Sequence, residues 1–201
     1  MAVAATSLVT LVAAKTYCNI HTATTDWDAV LELLIDSVSA LFDGYVRWTL
    51  ALTTYTSKLL DGSGRENLLL PVRPVASITS IKEDDVTLTL GDDYDYLADL
   101  EIGILFRVDG AWAAGRQNIE ITYKAGYVVQ GATPGTGETA LPGDLKLAAL
   151  MQVAAEWKRH QQGDWNESSR SFPDGSVSKR NEDPLLPQVK AILDRYVEYR
   201  V

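Results

Sequence analysis

The sequence predicts an α+β protein: a small helical bundle with an antiparallel β block, barrel- or sandwich-like, inserted between its second and third helices. Three observations predict it. Before residue 48 and after residue 143, apolar residues recur at three- and four-residue steps, the mark of helices with one buried stripe. Between them the period falls to two, with Gly- and Asp-rich turns separating the alternating runs. Within that block, LLLPVRPVASITSI (68–81) sets two prolines between extended flanks, which a central strand does not tolerate. The expected boundaries are 1–48 for the N-terminal helices, 49–127 for the β block and 128–143 for a loop. The C-terminal helices follow at 144–201, with a long loop at 163–183.

The opening MAVAATSLVTLVAA reads as a short helix capped near Ser7. It lacks the basic start of a secretory leader, and Lys15 interrupts its apolar run well before the roughly 18 residues a membrane span needs. A soluble protein with no membrane partner is expected. Residues 26–47 carry the strongest helical signal: Trp27, Leu31, Leu34, Val38, Leu41 and Tyr45 form the stripe, with Thr25 as a candidate N-cap. Opposite them run Asp28, Glu32, Asp36, Ser39 and Asp43, an acidic face that is either solvated surface or a wall facing a charged polymer.

In the β block, Val86, Leu88 and Leu90 alternate with threonines, and Ile102, Ile104, Phe106 and Val108 alternate with Gly103, Leu105 and Arg107. Ile119, Ile121 and Tyr123 alternate with Glu120, Thr122 and Lys124 in the cleanest strand. DGSG (61–64), GDD (91–93), DG (109–110) and AGRQN (114–118) supply the turns. Pro71 and Pro74 mark a corner at the edge of the block, each biasing the preceding residue to an extended conformation. A helix follows at about 144–161, with Leu147, Leu150, Met151, Ala154 and Trp157 on one side. The polar stretch 163–183 holds Trp165 and Phe172 among Arg170, Lys179 and Arg180, aromatic anchors with cations of the kind that interfaces favour. Asp183 as N-cap and Pro184 at the first position then start a last helix running to the C-terminus.

Composition narrows the function. The net charge of −9 opposes sequence-independent nucleic-acid binding, which needs Lys and Arg to neutralise phosphates. The single cysteine, Cys18, excludes an internal disulfide and suits a reducing compartment. His21 and His160 lack metal-ligand spacing, and GTGET (135–139) carries Glu138 where a phosphate loop needs lysine. Glu83-Asp84-Asp85 and Asp92, Asp93 and Asp95 lack the glycine and closing glutamate of a calcium loop. No catalytic constellation, metal site or cofactor site emerges, and no enzyme activity is expected.

The landmarks, in order, resemble the head–tail connector (adaptor) proteins of long-tailed bacteriophages and prophages. They are the helix DAVLELLIDSVSALFDGYVRW (28–48), then LLLPVRPVASITSI (68–81), DYDYL (93–97), GILFRVDGAW (103–112), ITYKAGY (121–127) and LPGDLKLAALMQVAAEW (141–157). The resemblance implies a structural virion protein, made in the host bacterial cytoplasm and sited at the neck. Such proteins form a homo-oligomeric ring, commonly of twelve subunits, joining the portal to stopper or tail-completion proteins, and DNA passes through the lumen without specific binding. On that reading Trp165, Arg170, Phe172, Lys179 and Arg180 contact the portal or a neighbouring subunit. Asp28, Glu32, Asp36 and Asp43, or the acidic hairpin turns, then give the lumen its negative potential. A stopper or tail-completion ring protein is the alternative, and a small hydrolase with an unrecognised site stays open.

Overall fold

The computed structural model describes residues 2–162, 171–172, 175–176 and 183–197. Residues up to Arg47 together with those from Pro142 onward form one compact unit, and Trp48–Leu141 form a second. The first unit holds helices α1 (Leu11–Tyr17), α2 (Asp28–Val46), α3 (Gly143–Gln162) and α4 (Pro187–Leu193). The second holds β1 (Thr53–Gly62), β2 (Asn67–Leu69), β3 (Val75–Glu83), β4 (Val86–Leu88), β5 (Tyr96–Asp99), β6 (Ile104–Arg107), β7 (Gly115–Ala125), β8 (Tyr127–Val128) and β9 (Thr139–Ala140). A short antiparallel pair, β10 (Ser171–Phe172) with β11 (Gly175–Ser176), lies between α3 and α4 in sequence. The architecture is the expected α+β one, with the strands between the second and third helices.

The β block is a sandwich. A four-stranded sheet in the order β1-β7-β3-β4 and a three-stranded sheet in the order β2-β6-β5 are both antiparallel throughout. They share one core: Ile81, Ile119, Ile121 and Tyr123 from the first sheet meet Leu68, Leu105 and Tyr96 from the second, with Trp112 between. The central strand β7 buries Ile119, Ile121 and Tyr123 as their alternation predicts. The proline pair is the corner between β2, which ends at Leu69, and β3, which starts at Val75; the Arg73–Pro74 peptide is cis. Gly126, in the turn after β7, has φ +109°, and a Cβ there would stand 2.7 Å from the Ala51 carbonyl oxygen, so the chain can pass only as glycine. The stretch expected as a loop from residue 128 begins and ends in structure, because β8 and β9 pair in parallel across it.

Several expectations need correction. Strand β6 is inverted: Leu105 is fully buried, while Ile102 is 45% exposed and Ile104 and Phe106 are only half-buried. Two apolar sets alternate along this segment, and register with Leu68 and Tyr96 brings the smaller set inward. Helix α2 buries Leu31, Ile35, Val38, Phe42 and Val46, so the stripe is rotated from the expected one and Trp27 is left 45% exposed. Ser7 is not a helix cap; Thr10 is, its Oγ1 accepting the Ala13 N–H at 3.1 Å. Thr25 offers α2 only its carbonyl, to Asp28 N–H at 3.1 Å, and the N-cap is Trp27. Helix α4 begins at the second proline of its segment, Pro187, with Leu186 as N-cap. The cause is a buried glutamine: Gln152 Nε2 donates to the Pro184 carbonyl at 2.8 Å, and Leu186 N–H donates to Gln152 Oε1 at 3.0 Å. Those two bonds hold residues 184–186 out of the helix, and Asp183 caps the turn through Leu185 N–H instead.

Candidate assembly surfaces

The acidic face of α2 is occupied from within its own unit. Asp36 accepts from Ala4 N–H at 3.0 Å and from the Ser7 hydroxyl, and Ser39 Oγ accepts from Leu8 N–H at 3.1 Å. The N-terminal segment therefore lies along the side of α2 that the sequence leaves polar, because those polar groups satisfy its backbone donors. Asp28 pairs with the buried Lys15, whose Nζ also donates to the carbonyls of Thr22 at 3.2 Å and Thr24 at 2.7 Å. That ammonium thus closes the α1–α2 connection with three partners, the arrangement a buried charge requires. Glu32 is buried, and Asp43 is half-exposed.

The carboxylates of the β block are placed differently. Asp84 and Asp85, at the tip of the β3–β4 hairpin, are exposed, with φ of +47° and +67°. Left-handed backbone at both positions is what a tight hairpin turn demands, and Asp tolerates it better than most residues. Asp92 and Asp93 are exposed in the β4–β5 connection, where Asp95 instead accepts Thr89 N–H at 2.7 Å. Nearby, Arg107 bonds Glu83 at 3.1 Å and lies over the Trp112 ring at 5.5 Å. Its charge is committed inside the sandwich rather than presented outward.

Glu138 has a structural role. Its carboxylate accepts from Lys124 Nζ at 2.6 Å and from Gly135 N–H at 2.9 Å, tying the 135–138 turn to β7. The Lys124 hydrogen bond, then the Gly135 N–H, hold its carboxyl below the usual glutamate range. Glu120 is lowered likewise, by the Ser57 hydroxyl and then Lys82. Burial raises the Cys18 thiol, which gives it no thiolate character. His160 stacks on Trp157, centroids 5.6 Å apart, and Trp27 meets Trp157 edge-on at the same distance, so this histidine is part of an aromatic cluster. His21 is exposed, its Nδ1 accepting Ala23 N–H at 3.3 Å. Among the described residues no group of three or more His, Cys, Asp or Glu is placed to hold a metal, and no helix is long and apolar enough to cross a membrane.

Of the residues expected at a partner interface, Trp165, Arg170, Lys179 and Arg180 lie outside the described residues, and Phe172 is described only as a backbone position of β10. The return of the chain from this segment is well defined: beyond the Gln152 clasp, Lys190 bonds Asp183 at 3.1 Å. The Tyr196 hydroxyl donates to Asp144 at 2.8 Å, beside Arg195 at 2.9 Å from the same carboxylate.

Comparison with known proteins places this architecture. Residues 7–199 match the head completion protein family. Among solved structures, a chain from the neck of an empty gene transfer agent (GTA) particle, computed with C6 symmetry, superposes with a TM-score of 0.62 at 19% identity, covering 100% of this chain and 94% of that one. A chain from the neck of the native GTA particle, computed with C12 symmetry, gives 0.53 at 17% identity with the same coverage. A chain from the native GTA virion gives 0.55 at 18%. No curated protein sequence matches. The family match spans both units and both sides of the β block, and the chain belongs to the head completion protein family, the head–tail connector group that the order of its sequence landmarks resembles.

Proposed function

We propose that the protein assembles with copies of itself into a ring of twelve subunits at the virion neck. The ring joins the portal to the stopper or tail-completion proteins and lets DNA pass through its lumen. The observation that carries this reading is the head completion family match over residues 7–199. The likeness to neck chains, one from a neck computed with C12 symmetry, supports it. The role is structural and uses no cofactor. A closed ring needs two different surfaces on each subunit, related by rotation, and a chain built of two compact units offers them. A conduit for DNA should not grip phosphates, and a chain with a net charge of −9 does not.

Within this reading the negative potential of the lumen comes chiefly from the exposed Asp84–Asp85 turn. Asp28, Glu32 and Asp36 are committed inside the helical unit, and Asp43 adds to the lumen wall at the end of α2. Residues Trp165, Arg170, Phe172, Lys179 and Arg180 contact the portal or the adjacent subunit. The experiment is negative-stain imaging of the protein mixed with the portal of its own particle. Rings of twelvefold symmetry seated on the portal are expected, and Trp165→Ala with Arg170→Ala should reduce their number. A chain that stays monomeric beside intact portal overturns the reading.

A further inference from the structure

Asp–Gly pairs occur four times in the chain, at 43–44, 61–62, 109–110 and 174–175. Such a pair can react within itself, because glycine has no Cβ to keep its amide nitrogen away from the aspartate Cγ. Reaction needs that nitrogen and that carboxyl both released from the fold. Asp43–Gly44 lies inside α2, where the helical ladder holds the Gly44 amide. Asp61–Gly62 is tied twice: Asp61 Oδ1 accepts from Gln117 N–H at 2.7 Å, and Gly62 N–H donates to Asn118 Oδ1 at 2.9 Å. The backbone there is also enclosed, since a Cβ on Gly62 would stand 1.9 Å from the Ala113 carbonyl oxygen. Asp174 lies outside the described residues.

Asp109–Gly110 differs on each count. Both residues are exposed, in the bend between β6 and β7. The chain is anchored on either side, by Val108 N–H to the Asp95 carbonyl at 3.1 Å and by Trp112 N–H to the Arg65 carbonyl at 3.0 Å. Between those anchors, among the described residues, neither the Asp109 carboxylate nor the Gly110 N–H makes a hydrogen bond. A Cβ on Gly110 would meet nothing within 4 Å, and an open cleft lined by residues 64–67, Gly110 and Ala111 admits water. We propose that Asp109–Gly110 is a site of spontaneous isoaspartate formation. The Gly110 nitrogen attacks Cγ of the Asp109 carboxyl and a C–O bond breaks, so that water leaves with the carboxyl and amide protons. The five-membered imide that results takes up water again. Addition at Cγ restores aspartate. Addition at the Asp109 backbone carbonyl carbon breaks its bond to nitrogen and leaves isoaspartate, one methylene longer in the backbone. Water lost and water regained balance, and no other reactant is needed. The inserted methylene lies three residues before Trp112, whose ring is buried in the core of the sandwich. The inference stands whether or not the subunits close into a ring.

The test incubates the full chain near neutral pH in water enriched in oxygen-18, until the free peptide VDGAWAAGR, the sequence of 108–116, has largely exchanged. Trypsin in ordinary water then places 59–65 and 108–116 on separate peptides for mass spectrometry. A gain of two mass units on 108–116 is expected. The same peptide should accept a methyl group from a protein L-isoaspartyl methyltransferase, which marks the isoaspartyl form. The 59–65 peptide should gain label about tenfold more slowly or less, because its two hydrogen bonds must open first. Asp109→Glu keeps the charge but would need a six-membered imide, which closes more slowly, so label and methyl transfer at 108–116 should be lost. An unchanged melting temperature checks that this variant folds. No label on 108–116, label without methyl transfer, equal labelling of 59–65, or label that persists in Asp109→Glu would overturn the proposal.

Discussion

Replacing Gln152 with leucine removes both halves of the amide clasp on residues 184–186 while keeping nearly the same volume. Gln152 is fully buried, and its amide bonds the Pro184 carbonyl at 2.8 Å, the Leu186 N–H at 3.0 Å and Glu156 Oε1 at 3.0 Å. In Gln152→Leu, two partly buried backbone groups lose their partners, at about 1–3 kcal/mol each. The added apolar burial offsets about 1 kcal/mol of that, so the net loss is about 1–5 kcal/mol. For a chain of this size that lowers the melting temperature by roughly 2–20 °C. Urea unfolding followed by far-ultraviolet circular dichroism reads the change directly. Gln152→Glu sharpens the test. Ionised, it keeps the acceptor for Leu186 but cannot donate to Pro184, and it faces Glu156; its deficit should shrink as pH falls and the new carboxyl protonates. A Gln152→Leu protein within about 0.5 kcal/mol of the parent, at the same m-value, would refute the reasoning.

Three further outcomes follow from the geometry. Lys15→Met strands the Asp28 carboxylate and two loop carbonyls, and should cost about 3 kcal/mol in denaturant unfolding. Leu105→Ala should cost about 2–5 kcal/mol and Ile102→Ser under about 1 kcal/mol, the reverse of what the sequence alternation predicts. Glu120, Glu138 and Asp183 all have lowered carboxyls in the fold, through Ser57, Lys124 and Leu185 N–H respectively. Their stabilisation is therefore complete at neutral pH and is lost as pH falls below about 4 towards the folded values. Melting curves against pH should show an acid limb that Glu138→Gln flattens.

The order of the elements was legible because the hydrophobic period changes from helical to alternating between α2 and β1 and is helical again in α3. Strand β7 was legible residue by residue, since only one of its faces is apolar. The misreadings arose where both alternatives were apolar or both polar. In β6 the sets Ile102–Ile104–Phe106 and Leu105 compete, and only pairing with β2 and β5 chooses between them. In α2, Ile35, Phe42 and Val46 make a second apolar stripe, and the polar groups between were consumed by the N-terminal segment, a long-range contact with no local signature. The start of α4 was misplaced because a proline after an acid is a sound local signal, overridden here by a glutamine 32 residues away. The acidic face of α2 was legible because helical spacing makes stripes visible, but the contacts of Asp28 with Lys15 and of Asp36 with Ala4 and Ser7 had no local signature.

The ring is the central claim, and counting subunits tests it most directly. Native mass spectrometry of the complex formed with the portal of the same particle gives the number of copies bound. A single species with twelve copies of this chain on each portal is the predicted result. A ladder of one, two and three copies with no closed species, or no complex at all, would contradict it.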